Sequence, residues 1–159
     1  NHYPICELTI HPRVMKQLYR GEADRAAFAA ALPECRMPVC YNGDVTTPEA
    51  LHALEAEFPQ LSGIMVGRGL IADPALFRRA QGGAPASREE LRGYCDDLYH
   101  GYTEAFGAAS CAVSRMKAHW FYLIHLFEGA DPLEKPLRKA REGWEYETVV
   151  NQIFTRQLN

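Results

Sequence analysis

Apolar positions along the chain follow two different rules in its two halves. Between residues 1 and about 82, short strand-like runs rich in apolar residues lie near Cys6–Ile10, Val39–Tyr41 and Gly63–Val66; the last two run into polar, glycine-bearing turns and the first into His11-Pro12-Arg13. Runs of this length, apolar on both sides and bounded by turn residues, predict buried parallel strands. Helical spacing follows each run. Residues 23–32 place Phe28 and Leu32 on one face. Thr47 is the expected N-cap and Pro48 the first residue of a second helix carrying Leu51, Leu54 and Phe58. A short third helix is expected after Asp73-Pro74, anchored by Leu76 and Phe77. The alternation of strand and helix gives an α/β fold.

A Gly/Pro/Ala/Ser stretch, residues 81–87, separates this half from one without a convincing strand. Ser87 and Glu90 fit a capping box, and Leu91, Tyr94, Cys95, Leu98, Tyr99 and Tyr102 follow as a helical stripe that Gly107 should end. A second helix is expected from about Ala109 to Phe127, broken by Gly129 and Asp131-Pro132, with Pro136 limiting a short piece and a last helix taking Val149, Val150, Ile153 and Phe154. The predicted organisation is residues 1–82 as three βα units and residues 87–159 as an all-helical bundle.

The chemistry gathers where the strands end. His11 and Arg13 follow the first strand, Asn42-Gly43-Asp44 the second and Gly67-Arg68-Gly69 the third. Parallel strands put all their carboxyl ends on one side, the edge where α/β folds hold ligands. Glycine lets backbone approach a ligand closely, Asn and Asp offer side-chain hydrogen bonds, and an arginine fork beside free N–H groups suits a dianion. A phosphate-bearing cofactor is the leading expectation. Taken singly, each group also fits a plainer role: a core or surface histidine, a strand-to-helix turn, a surface arginine in an ion pair.

Composition narrows the classes. A net charge of −3 gives no bulk case for nucleic-acid binding, although a local basic face remains open. The five cysteines show no CxxC and no zinc spacing with histidine, so reduced thiols, no metal site and a cytoplasmic protein are expected. No apolar stretch approaches the roughly 18–20 residues that cross a bilayer. The chain begins at Asn1 rather than Met. Three parallel βα units cannot close a barrel, so the chain is expected to be the later portion of a longer protein, or to complete its sheet with another copy.

Four motifs, IHPRVMKQLYRG, VCYNGDV, IMVGRGLIADPALF and SRMKAHWFYL, in this order and spacing, resemble the tRNA-dihydrouridine synthases. These are flavin enzymes with a TIM barrel followed by a helical domain. The resemblance covers nearly the whole chain but only the back half of a family member, the last three barrel strands and the helical domain. It implies an oxidoreductase that uses FMN, reduced by NADPH, to convert uridine to dihydrouridine in tRNA. It implies FMN contacts at His11, Asn42, Gly43, Asp44, Gly67 and Arg68, and tRNA contacts at Arg13, Arg115, Lys117 and His119. Lys16 reads as a solvated loop charge, and Trp120, Phe121 and Tyr122 as packing rather than base-stacking groups. The family's catalytic cysteine belongs to an earlier segment, so no catalytic residue is assigned and this piece is expected to be inactive, with FMN absent or weakly held. The other readings are a different FMN- or phosphate-binding barrel oxidoreductase, and a non-catalytic RNA-binding or interaction module. Inner faces at Ile10, Val39, Tyr41, Ile64 and Val66, left open, are expected to drive self-association as a dimer.

Overall fold

The structure is a computed structural model describing residues 1–18 and 20–159; Tyr19, inside the first matched motif, lies outside the described residues. It divides into two compact units, Asn1–Leu70 with Leu76–Gly83, and Ile71–Ala75 with Ala84–Asn159.

The first unit is built on a three-stranded parallel sheet in the order β1 (Leu8–Ile10), β2 (Val39–Asn42), β3 (Gly63–Met65). Ile10 pairs with Tyr41, and Tyr41 with Ile64. Helix α1 (Arg25–Ala31) starts at Asp24, whose carboxylate accepts from the Ala27 N–H, and a 3-10 turn at Leu32–Glu34 continues it. Helix α2 (Pro48–Glu57) starts at Thr47, whose hydroxyl accepts from Ala50, with Pro48 in the first turn. Both caps satisfy an N–H that the helix itself cannot. Two five-residue helices follow, α3 (Arg68–Ala72) and α4 (Leu76–Ala80).

The sheet's buried face corrects one expectation. Leu8, Ile10, Val39, Tyr41 and Ile64 share a side by register, but that side faces the helices. Val39 and Tyr41 cluster with Phe28, Leu32, Leu51, Leu54 and Phe58, and the Phe28 ring meets Tyr41 edge-on at 4.8 Å. Burying a side chain such as Phe28 is worth about 1.5–3 kcal/mol, so this face is the core of the unit. The opposite face carries Thr9, Cys40 and Met65; Met65 is exposed and Cys40 is buried. The open apolar surface is therefore smaller than the sequence suggested.

The second unit contains α5 (Arg88–Phe106), α6 (Ala109–Leu123), α7 (Asp131–Lys139) and α8 (Gly143–Ile153). Ser87 and Glu90 form the capping box, and Gly107, at φ 70°, ends α5 in the left-handed conformation that glycine adopts without penalty. The core gathers Leu91, Cys95, Val113, Met116, Trp120, Leu123, Tyr146, Val150 and Ile153. The indole of Trp120 donates to the Tyr146 hydroxyl at 3.0 Å, giving each buried ring a polar partner.

Two details differ from the sequence expectation. Pro136 lies inside α7 instead of limiting it; the helix is only nine residues long, so the missing donor affects a single turn. The chain end is also not helical. Phe127 and Leu158 form an isolated antiparallel bridge, Glu128 N–H donates to Gln157 at 2.8 Å and Asn159 N–H to Leu126 at 2.9 Å. No helix among the described residues is long and apolar enough to cross a membrane.

Candidate functional site

The three strand ends are tied to one another by side chains. His11, one residue past β1, hydrogen-bonds through Nδ1 to the Asn42 carbonyl at 2.6 Å. A carbonyl only accepts, so Nδ1 carries the proton and, in the neutral ring, Nε2 is left as a free acceptor. Asn42, the last residue of β2, in turn donates its amide to the Met65 carbonyl at the end of β3, at 2.9 Å. Each bond contributes about 0.5–1.5 kcal/mol. Together they add side-chain ties to strand ends whose register the sheet already sets.

Asp44 sits beside this seam. Its Oδ1 accepts from Arg68 at 2.8 Å, while Oδ2 accepts from the Ala23 N–H at 2.7 Å and from Arg13. Burial pushes the Asp44 carboxyl up, but the Ala23 N–H and the Arg13 and Arg68 guanidiniums outweigh it and hold the group below the ordinary carboxylate value. Residues His11, Asn42–Thr46 and Met65–Gly69 line a cleft of about 270 Å³. All six residues expected to hold the cofactor thus stand at one edge of the sheet.

The glycines have separate reasons. A Cβ at Gly43 would lie 2.9 Å from both the Ala23 Cβ and the Tyr41 hydroxyl. At Gly69 it would lie 2.2 Å from the Val45 carbonyl oxygen, so the start of α3 can approach the β2 loop only without a side chain. At Gly67 a Cβ would meet nothing within 4 Å. Among the described residues no packing demand accounts for Gly67, which is exposed and borders the cleft. Gly69 was visible in the sequence only as part of the Gly-Arg-Gly triplet; its steric role depends on Val45, which no local pattern brings near.

Arg13 is placed differently from the expectation that it meets RNA. Its side chain is 4% exposed, and its fork donates to the carbonyls of Arg20 at 3.0 Å and Gly21 at 2.8 Å as well as to Asp44. A guanidinium so enclosed is a structural cation beneath the cleft, since burial without its partner would be costly. His119 is also turned inward. It is half-buried, its Nε2 meets the Tyr102 hydroxyl at 3.0 Å, and desolvation lowers its pKa, favouring the neutral ring. A neutral, packed imidazole is a poor phosphate contact. Arg115 and Lys117 do reach the surface of the second unit. With Phe106, Ser110, Ser114 and Arg141 they border a hollow of about 570 Å³, the Arg115 guanidinium 5.1 Å over the Phe106 ring. Of the aromatic run, Trp120 is buried but Phe121 is exposed.

Another hollow of the first unit, about 480 Å³ and so larger than the strand-end cleft, lies against Leu51, Phe58, Ile64 and Phe77. Its His52 is engaged with the Ala80 carbonyl at 2.9 Å, and among the described residues no Lys or Arg lines it. The smaller strand-end cleft has the convergent chemistry. Among the described residues no cluster of His, Cys, Asp and Glu could hold a metal, and all five cysteines are free thiols.

A family model for dihydrouridine synthases matches residues 5–157. A probable tRNA-dihydrouridine synthase of Rhodobacter capsulatus is 31% identical over 160 residues, covering 94% of this chain and 47% of that protein. The tRNA-dihydrouridine synthase B of Pseudomonas syringae pv. tomato is 35% identical over 146 residues, 91% of this chain and 38% of its own length. That of Pasteurella multocida is 36% identical over 75 residues, 46% of this chain and 22% of that protein. The chain thus spans about half or less of the curated relatives it matches.

Proposed function

Because the chain belongs to the dihydrouridine synthase family, we propose that it forms the later barrel strands and the helical domain of an FMN-dependent tRNA-dihydrouridine synthase, with NADPH as reductant. The observation that carries this reading is the stitched strand-end cleft, in which the Arg68 guanidinium is held beside the open space at Gly67. The residues present fit the phosphate end of FMN. Arg68 supplies a charged fork suited to phosphate oxygens, and Gly67 leaves room for the anion to approach. Bound FMN would supply hydride transfer from NADPH to C6 of the uridine, with a proton delivered to C5.

The chain's own residues bind and orient. His11 keeps Nε2 available as a hydrogen-bond partner because Nδ1 is committed to Asn42. Asn42 gives one amide hydrogen to the Met65 carbonyl, which orients its side chain at the cleft, and its second N–H and Oδ1 are the groups that would meet the ligand. Among the described residues lining the cleft none is a cysteine, so the roles assigned to this chain are binding and orientation, and no proton donor to C5 is assigned within it. In the second unit, Arg115, Lys117 and Arg141 around the hollow beside Phe106 supply positive charge for the RNA backbone.

Dihydrouridine in bulk tRNA, measured by mass spectrometry after deletion of the encoding gene, tests the reading. Loss of the modification at one or more tRNA positions, restored by the intact gene, is expected. An unchanged dihydrouridine content would point to another flavin oxidoreductase or a non-catalytic RNA-binding role.

A further inference from the structure

We propose that Asp44 is a positioning residue for the anion site, clamping Arg68 toward the cleft and anchoring Arg13 beneath it instead of touching the ligand. The proposal rests on the anion-binding reading of the cleft given above.

The lone pairs of Asp44 are largely committed. A carboxylate offers about four acceptor sites, and Arg68, Arg13 and the Ala23 N–H occupy three of them. The two arginines differ in what they need from it. Arg13 is enclosed and requires a countercharge, whereas the Arg68 side chain is 33% exposed and borders the cleft. Arg68, the exposed member of the pair, is the one able to present its guanidinium to the cleft.

The backbone is built around this arrangement. Asp44 has φ 46°, the left-handed region that costs a non-glycine residue free energy and that Asp and Asn tolerate best. Gly43 before it has no space for a Cβ. The turn is thus held in a form that aims the carboxylate back at the arginines. A carboxylate placed directly on a phosphate dianion would repel it; acting through Arg68, it removes the freedom of a long side chain before the anion arrives.

The sign of one substitution separates these roles. Asp44→Asn keeps the size and the tolerance for positive φ but removes the charge. Were Asp44 simply near the anion, losing its charge would tighten binding. As a positioning residue, its loss weakens FMN binding about tenfold, the scale set by releasing one long side chain, and leaves riboflavin, which lacks the phosphate, unchanged. Flavin fluorescence titrations of the chain, Asp44→Asn, Arg68→Ala and the double variant read this directly. In the Arg68→Ala background, Asp44→Asn is expected to have no further effect. Tighter FMN binding, additive losses, or equal weakening of both flavins would overturn the proposal. A chain that binds FMN and riboflavin equally before any substitution would instead remove the anion-site reading, and the proposal with it. Should Asp44→Asn fail to fold, side-chain NMR of the unaltered, ligand-free chain decides. Resolved, slowly rotating Arg68 guanidinium protons are expected, and one averaged signal overturns the clamp.

Discussion

Replacing Gly69 with Ala should cost the first unit much of its stability, and replacing Gly67 two residues earlier should not. At Gly69 the new Cβ would stand 2.2 Å from the Val45 carbonyl oxygen and 3.1 Å from the Thr46 Cα, where ordinary contact begins at 3.4 Å. Overpacking that side chains can absorb costs about 1–3 kcal/mol. Here the obstacle is backbone in the turn between β2 and α2, so the upper end, about 3 kcal/mol, is the working figure. That is about a hundredfold in the folding equilibrium and about 12–24 °C in melting temperature for a unit of this size. At Gly67 nothing lies within 4 Å and φ is outside the left-handed region, so Ala should be neutral or stabilise by about 0.4–1 kcal/mol through the unfolded chain. Urea titrations followed by circular dichroism, run beside an FMN titration, measure both. The expected pattern is a lowered midpoint for Gly69→Ala, and an unchanged or slightly raised midpoint with weaker FMN binding for Gly67→Ala. Equal midpoints for the two variants would refute the steric assignment.

The Asp44 carboxyl is held below its ordinary value in the folded chain, so its contribution to stability is present above the unfolded carboxylate pKa and is lost as pH falls through the lower folded value. Acid titration of the unaltered chain against Asp44→Asn should show that difference at neutral pH and its disappearance in strong acid; a difference that persists there would contradict it. Cys95 is buried and its thiol is pushed up to about 12 by desolvation, while Cys6 and Cys111 are exposed. Iodoacetamide with mass spectrometry should therefore label Cys6 and Cys111 in the native chain and Cys95 only after denaturation; early Cys95 labelling would mean α5 opens readily. Tyr146→Phe removes the partner of the buried Trp120 indole and should cost about 1–3 kcal/mol, read as a lower urea midpoint; an unchanged midpoint would mean the indole is satisfied otherwise. β1 and β3 are the outer strands of the described sheet, and exposed strand edges invite pairing, so light scattering should find a dimer; a clean monomer would refute this.

Much of the scaffold was legible because its signals are local. Thr47-Pro48 and Ser87 with Glu90 name helix starts whatever the tertiary context, and Gly107 names an end. The strands were legible as apolar runs, but their orientation was not. In Val39-Cys40-Tyr41 both faces are apolar, so no period-two pattern says which side meets the helices, and the core proved to lie on the Val39 and Tyr41 side. α3 was missed because Gly67-Arg68-Gly69 reads as a turn, although the helix starts at Arg68.

Within the site, the strand-end principle gathered His11, Asn42, Gly43, Asp44, Gly67 and Arg68 at one edge, while the partners each side chain takes were not legible. Arg13 and His119 are polar in sequence and enclosed in space, which depends on partners 31 residues away at Asp44 and 17 away at Tyr102. Asn42 likewise gives one amide hydrogen to Met65, a cross-strand bond that no linear motif predicts.

The most direct test of the central reading is an NMR titration of the chain with FMN, following backbone amides and the Arg68 side chain. Shifts confined to the strand ends, at His11, Asn42–Asp44 and Val66–Gly69, with the Arg68 guanidinium moving most, are the predicted result. Shifts centred instead on His52 and Phe77 would contradict the assignment of this cleft to the cofactor.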